Sequence, residues 1–329
     1  MKFVTALAAA VALLTAPILA APAAAQTEIR VSHAAPLNSS LHDAFMMIKT
    51  RMEAKFPGAI KVSVHGASAL FRQGTELPAM QRGNLEMSSP VTFEIEAQLP
   101  EYGAFGAAYL FRDADHLIKT FRSDIGREFA DDVGAKMGIV ILDTAYLGTR
   151  TVNIRSDKPI MKPADLTGVK MRMPPGPAFQ ALARALGATA VSMPITEVYL
   201  GLKTGAIDAQ DNPINMTRDW KFQEVTAQVI LTRHLVQPVF IAIAKPFFDK
   251  LTPDQQAELR AAAREAADIQ IARTLKDEAD AADTFRGAGI KIVEPDVAAF
   301  RVAVQEQYRA ANLTEKWKPG LQARIEAVR

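Results

Sequence analysis

The sequence predicts an α/β protein of two units, each a mixed, mainly parallel sheet flanked by helices, with one long helix near the C-terminus. Three observations carry this. Strand-like and helix-like segments alternate along the chain, stop, and then alternate again, which is the pattern of parallel-sheet units. The 329 residues are enough for about two domains, and the second run does not closely repeat the first. From Pro253 to about Phe285 nothing interrupts a helical pattern. At 1.5 Å per residue that helix extends ~50 Å, longer than one small domain, so it can touch both units.

The first unit opens with "TEIRVSHAAP", a strand over Glu28 to Ser32 that Pro36 breaks. "SSLHDAFMMIKTRMEAKFPG" then reads as a helix, with Ser39 or Ser40 as its cap and Pro57-Gly58 as its end. "AIKVSVHG" is a second strand, "GTELPAMQRGN" a short helix and "LEMSSP" a short third strand. "DADHLIKTFRSDIGREFADDVGAKMG" supplies two more helical pieces. "IVILDTAYLGTR", apolar and β-branched, reads as a central strand, and "TVNIRS" as another after it.

The second unit begins at "GVKMRMPPGP", where Val169, Met171 and Met173 alternate with Lys170 and Arg172 in a strand rhythm. The helix "AFQALARALG", the strand "TAVSMP", the helix "TEVYLGLKTG" and the strand "AIDAQDNP" follow. Thr252-Pro253-Asp254-Gln255 is a strong helix start, with a threonine cap, proline in the first turn and glutamine at the third position. "AGIKIVEP" is a late strand, and two short helices finish the chain.

Composition narrows the function. The chain is 49% hydrophobic and 22% charged, an ordinary globular balance. Its 38 basic and 36 acidic residues leave a net charge of +2, so no broad basic field draws in nucleic acid. Lys2 precedes "FVTALAAAVALLTAPILAAPAAA", and Ala23 and Ala25 form an Ala-x-Ala site before Gln26. Residues 1–25 thus read as a cleaved secretory signal, which places the mature protein in the periplasm. The run is long enough to anchor in a membrane, but Pro17, Pro22 and the small residues favour cleavage. There are no cysteines, which excludes thiol catalysis and thiolate metal sites.

Catalytic signatures are scarce. The five histidines, His33, His42, His65, His116 and His234, form no metal-ligand spacing. No nucleophile elbow, phosphate loop or dinucleotide fingerprint occurs, so the expectation is a non-enzyme without cofactor or metal. What stands out is polar side chains at strand ends. Arg150 lies just past "IVILDTAYL", Arg172 near the end of "VKMRM", and Asn212 before Pro213 after "AIDAQ". Ligands of open α/β sheets bind beyond the carboxyl ends of strands. Two guanidinium groups and an amide suit a carboxylate, which accepts a bidentate fork and a further bond. Each residue alone has a plainer reading. Arg172 could face solvent from an edge strand beside Lys170, and Arg150 could pair with a carboxylate such as Asp143.

Four stretches carry a resemblance: "YLFRDADH", "LGTRTVNIRSDKPIMKPADLTGVKMRMP", "LGATAVSMPITEVYLGLKTGAIDAQDNP" and "LTRH". In this order they resemble the solute receptors of TRAP transporters, the tripartite ATP-independent periplasmic systems, of the dicarboxylate-receptor type. The resemblance covers nearly all of the mature chain. It implies a two-lobed periplasmic-binding-protein fold that closes on an organic acid, with the long helix crossing both lobes. Lobe I would take residues 26–147 and about 238–277; lobe II, 148–237 and about 278–329. Arg172 would grip the ligand carboxylate, with Arg150 and Asn212 assisting, and membrane permease subunits would be the partner. Two departures bear on the substrate. Ala209-Gln210-Asp211-Asn212-Pro213 stands where the family commonly has Gly-Gln-Glu-Asn-Pro, and Ala108-Tyr109-Leu110-Phe111 where it often has Pro-Phe-Leu-Phe.

The facing lobe should supply selectivity. Its candidates are His33 after the first strand, Phe71 and Gln73 in the following turn, and Ser89 and Phe93 near the third strand. The competing functions are a periplasmic hydrolase or lyase on a similar scaffold and a ligand sensor for a signalling kinase.

Overall fold

Alternating apolar runs become nine strands in the computed structural model, which describes residues 26–329. The expected signal segment, 1–25, lies outside the described residues. In chain order the strands are β1 (Thr27–Ser32), β2 (Ile60–His65), β3 (Met87–Ser88), β4 (Ile139–Ile154), β5 (Lys170–Met173), β6 (Thr189–Ser192), β7 (Ala209–Pro213), β8 (Gln228–Ala244) and β9 (Lys291–Val293). Their order is β2-β1-β3-β8-β4-β7-β5-β6, with β9 added to β8. The two expected α/β units are the two ends of this one hydrogen-bonded path. At one end β1 pairs in parallel with β2 and β3; at the other β5 pairs in parallel with β6 and β7.

The join is made by β4 and β8, which run antiparallel through both ends. The stretches "IVILDTAYLGTR" and "TVNIRS", expected as separate strands, form the single sixteen-residue β4. Its register with β8 shifts in three places, between Ile141 and Asp143, Tyr146 and Gly148, and Arg150 and Val152. Such bulges bend a strand and raise its twist, which lets one strand serve two differently oriented ends. β8 escaped the sequence reading because Pro238 interrupts an apolar run. In the fold Pro238 sits opposite Tyr146, beside the second bulge, where a missing N–H is tolerated.

Helices cover both faces. Ser39 caps the helix Ser40–Lys55 by accepting from the His42 N–H, and Phe45, Ile48 and Met52 are buried on its inner side. The long helix runs Pro253–Gly287, with Thr252 and Gln255 forming the expected reciprocal cap. Its first half buries Leu259, Ala262, Ala263, Ala266 and Ala267 in the main core, and its second half buries Ala281 and Phe285 in a separate cluster with Ile214 and Val229. Between them, Gln270 donates to the Tyr146 carbonyl at 2.8 Å and accepts the Tyr146 N–H at 3.2 Å, standing in for a strand partner beside the bulge. No helix among the described residues is long and apolar enough to cross a membrane.

Candidate functional site

Arg172 is where strand alternation and charge collide. β5 lies between β6 and β7 and is not an edge strand, so the solvent-facing reading of Arg172 is wrong. Lys170 escapes to solvent at the strand start, whereas Arg172 is 1% exposed. Its Nε donates to the Met193 carbonyl at 2.7 Å and its Nη2 to Gln73 Oε1 at 3.3 Å. Both acceptors are neutral, and no carboxylate pairs with it among the described residues. Burial pushes the guanidinium down to about 9; Asp211 pulls it upward, and Arg150 adds to the fall. A cation held dry without a counter-charge is unfavourable.

Arg150 differs. Its Nε and Nη2 grip Asp211 at 2.7 and 2.8 Å, Nη2 also meets the Asp211 carbonyl, and Nη1 donates to Gln237 Oε1 at 2.7 Å. The guanidinium face lies 5.0 Å from the centre of the Phe179 ring. Asp143, proposed from sequence as its partner, instead pairs with Arg264 at 2.9 Å. Arg150 thus has an internal carboxylate partner in Asp211, whereas Arg172 has none among the described residues. Burial alone would raise the Asp211 carboxyl, but Arg150 and a His234 hydrogen bond override it and hold it well below the usual carboxylate range.

The "LTRH" stretch explains the His234 contact. Arg150 pairs with Leu235 and Val152 with Ile230, so Leu231 to His234 are looped out opposite Thr151. Arg233 takes a left-handed φ of 44° at the turn of this bulge and points outward, exposed. His234 then turns inward, its Nε2 lying 3.2 Å from Asp211 Oδ2 and its Nδ1 2.8 Å from Thr232 Oγ1. Burial lowers the histidine, in keeping with a neutral ring that donates from Nε2 and accepts from Thr232. Tyr109 secures the bulge, its N–H on the His234 carbonyl at 2.8 Å and its hydroxyl on the Thr232 carbonyl at 3.1 Å. Asn212 is 2% exposed on β7, and its amide nitrogen donates to Gln210 Oε1 at 2.5 Å. Asp211 and His234, the supports of Arg150, were not among the sequence candidates. Their signals were the four-residue "LTRH" run and the acid beside Asn212.

The two ends of the sheet meet around a cavity of about 60 Å³. Gln73, Glu76, Ser88 and Glu94 line it from the β1 end, and Ile195 and Met216 from the β5 end. Gln73 reaches across: its Oε1 accepts the Ile195 N–H at 2.8 Å as well as the Arg172 bond. Ser89 also lines the cavity. The other facing candidates fare differently. Phe93, 7% exposed, meets Phe179 edge-on at 5.3 Å and forms an apolar bridge between the two ends, outside the cavity wall.

His33 is turned the other way. Its ring stacks on Phe45 and its Nε2 lies 3.1 Å from His42 Nδ1. Burial, with His42 adding, pushes it down to about 3. Its chain neighbours Ala34 and Ala35 line the cavity instead. Phe71 packs against the apolar cluster that contains Leu77 and Met80, so it too is away from the cavity. The two have different causes: Phe71 is an apolar ring drawn into the nearest core, whereas the His33 imidazole is held by its Nε2 contact with His42 Nδ1 and its stack on Phe45.

None of Arg172, Arg150 and Asn212 lines this cavity; Arg172 reaches it through Gln73, an arrangement that suits an anionic solute once the two ends part. Residues 31–314 match the family described as bacterial extracellular solute-binding protein, family 7, and the chain belongs to that family of TRAP solute receptors. The sialic acid-binding periplasmic protein SiaP of Vibrio cholerae is 28% identical over 290 residues, 88% of this chain and 90% of the relative. A crystal structure of a TRAP periplasmic solute binding protein from Roseobacter denitrificans, with bound 3-deoxy-D-manno-oct-2-ulosonic acid, aligns with a TM-score of 0.89. It is 36% identical, and the alignment covers 92% of this chain and all of that one. A second from the same organism, with bound L-galactonate, gives 0.84 at 26% identity, over 90% of this chain and 97% of that one. The family is one of solute-binding receptors rather than enzymes, and its named relatives are periplasmic.

Proposed function

We propose that this receptor captures a carboxylate-bearing organic acid in the cleft beside Arg172 and delivers it to the membrane permease of a TRAP transporter. Residues 1–25 direct export and are removed. The two lobes are 26–147 with about 238–277, and 148–237 with about 278–312; the C-terminal helix leaves lobe II, because Leu321 and Ile325 bury among Leu117, Phe121 and Phe129 of lobe I. They part to admit the ligand, because a cavity of about 60 Å³ holds only a few waters. Gln73 swings away on entry, and a ligand carboxylate oxygen takes the place of its Oε1 between Arg172 and the Ile195 N–H.

The observation that carries this reading is the buried Arg172 guanidinium, bonded only to neutral acceptors. The acids bound by the two Roseobacter proteins, and the one in the SiaP name, each bear a carboxylate, which supports it. Hydrogen bonds to a charged group contribute ~1.5–3 kcal/mol each, and micromolar affinity needs about 8 kcal/mol. The arginine therefore supplies part of the affinity, and enclosure supplies the rest. Arg172→Ala should weaken binding of an acid ligand at least tenfold in calorimetry, with an unchanged circular dichroism spectrum. Near-wild-type affinity in the folded variant overturns the assigned grip.

A further inference from the structure

The loop between β2 and the short helix Glu76–Gln81 reaches across the cleft with two consecutive side chains, and both land on the first turn of one helix of the opposite end. That helix runs Ile195–Thr204 and follows Pro194, which gives it no side-chain cap. Arg72 pairs with Glu197 at the surface. Gln73 turns inward, where its Oε1 accepts the Ile195 N–H at 2.8 Å and the Arg172 Nη2 bond at 3.3 Å. The cap that the helix lacks from its own chain neighbours is thus supplied across the cleft. Contacts within the loop hold this pose. Phe71 is anchored in the apolar cluster with Leu77 and Met80. The Thr75 hydroxyl and N–H both donate to the Arg72 carbonyl, at 2.8 and 2.9 Å. Glu76 Oε2 accepts the Gly74 N–H at 2.9 Å, and Gly74 takes a left-handed φ of 88°.

A neutral amide satisfies these two donors without answering their charge. A guanidinium and a helix N-terminus both favour an anion, and Gln73 offers only the carbonyl half of one. Resting on the receptor reading above, we propose that Gln73 is a built-in competitor of the ligand: it holds a fraction of the empty receptor shut and thereby sets the affinity for the acid. A closed receptor capped by its own glutamine admits no ligand, so the apparent dissociation constant rises by the inverse of the open fraction. An acid displaces the glutamine because a carboxylate makes charge-assisted bonds to the same donors. The same argument puts Gln73 one atom away from a lock. Gln73→Glu keeps the length of the side chain and supplies the missing charge, so it closes the cleft with no ligand present.

Small-angle scattering and calorimetry on the mature receptor test this. Without ligand, Gln73→Glu should give a smaller radius of gyration than the wild type, and Gln73→Ala a larger one. Calorimetry uses whichever of 3-deoxy-D-manno-oct-2-ulosonate, L-galactonate, D-glucuronate and succinate the wild type binds, these being acids bound by similar receptors. Gln73→Ala should bind that acid at least twofold more tightly, and Gln73→Glu at least a hundredfold more weakly. A ligand-free Gln73→Glu receptor as open as the wild type overturns the inference, and so does a Gln73→Ala receptor that binds no more tightly. Either result leaves the carboxylate receptor standing. A wild type that binds none of the four acids counts against that reading instead, and the scattering comparison, which needs no ligand, still decides the role of Gln73. Gln73 is half-buried in a loop, and the two variants are read independently, so one that misfolds does not rescue the proposal.

Discussion

Asp211 makes the site around Arg150 possible, because two buried arginines near one another repel. Removing the charge of Asp211 leaves Arg150 buried without its counter-ion, a loss of about 3–5 kcal/mol for a broken internal pair. Asp211→Asn should lower the urea midpoint accordingly. The titration signs separate Asp211 from the cavity glutamates. Its carboxyl is depressed, so its contribution is present above the ordinary carboxylate range and is lost as pH falls through the folded value. Glu76 and Glu94 are raised, so theirs is full below that range and is lost as pH rises through about 7 and about 8. Melting temperature followed from pH 5 to 9 should fall toward the alkaline side, and Glu94→Gln should flatten that fall; an unaltered slope in the variant rejects the assignment. Of these residues Arg172 was legible, because a cation inside an apolar alternation is a local signal. Asp211 was not, because the sequence offers Arg150 several acids and only the register of β7 on β4 selects one. The cavity glutamates were likewise hidden among solvated carboxylates, since burial is a property of the assembled fold.

Bulges do at the level of elements what charge does at the level of residues. Gly148 lies where β4 shifts register, with φ at 133°, a backbone region that side chains rarely enter. A Cβ there would strike the Pro213 ring and come within 2.9 Å of Glu278 Oε1. Glu278 is already engaged, holding the Thr149 N–H at 2.5 Å and the Tyr146 hydroxyl at 2.7 Å. Backbone strain and overpacking each cost about 1–3 kcal/mol. Gly148→Ala should therefore destabilise the protein by about 2–6 kcal/mol, read as a lower denaturant midpoint at unchanged slope; a variant as stable as wild type removes the conformational argument. The helices and the short parallel strands were legible from their periods and caps, down to the pairing of Thr252 with Gln255. The long strands were not. The sequence reading ended one strand at Arg150 and passed over the run that contains Pro238, yet in the sheet both places lie at or beside bulges within continuous strands.

At the level of the molecule the long helix Pro253–Gly287 and the strands β4 and β8 are common to both ends, so opening must bend them rather than separate them. Among the contacts that opening would break are Gln73 with the Ile195 N–H and with Arg172, Phe93 against Phe179, and the exposed pair Arg72–Glu197. The exposed pair contributes at most ~1 kcal/mol, and the neutral hydrogen bond about as much. Opposing them is the Arg172 guanidinium, which regains water when the cleft parts. Rehydration of Arg172 favours opening, so the unliganded receptor should populate an open form. A bound anion adds a charge-assisted bond to the closed form alone and shifts the balance by that difference. Small-angle scattering should then record a larger radius of gyration for the ligand-free receptor than for the receptor saturated with its acid. Arg172→Ala should behave oppositely in both respects. Without the buried cation its empty cleft closes more readily, and adding acid changes its radius little. A wild-type radius indifferent to ligand would mean that charge neutralisation at Arg172 does not drive closure.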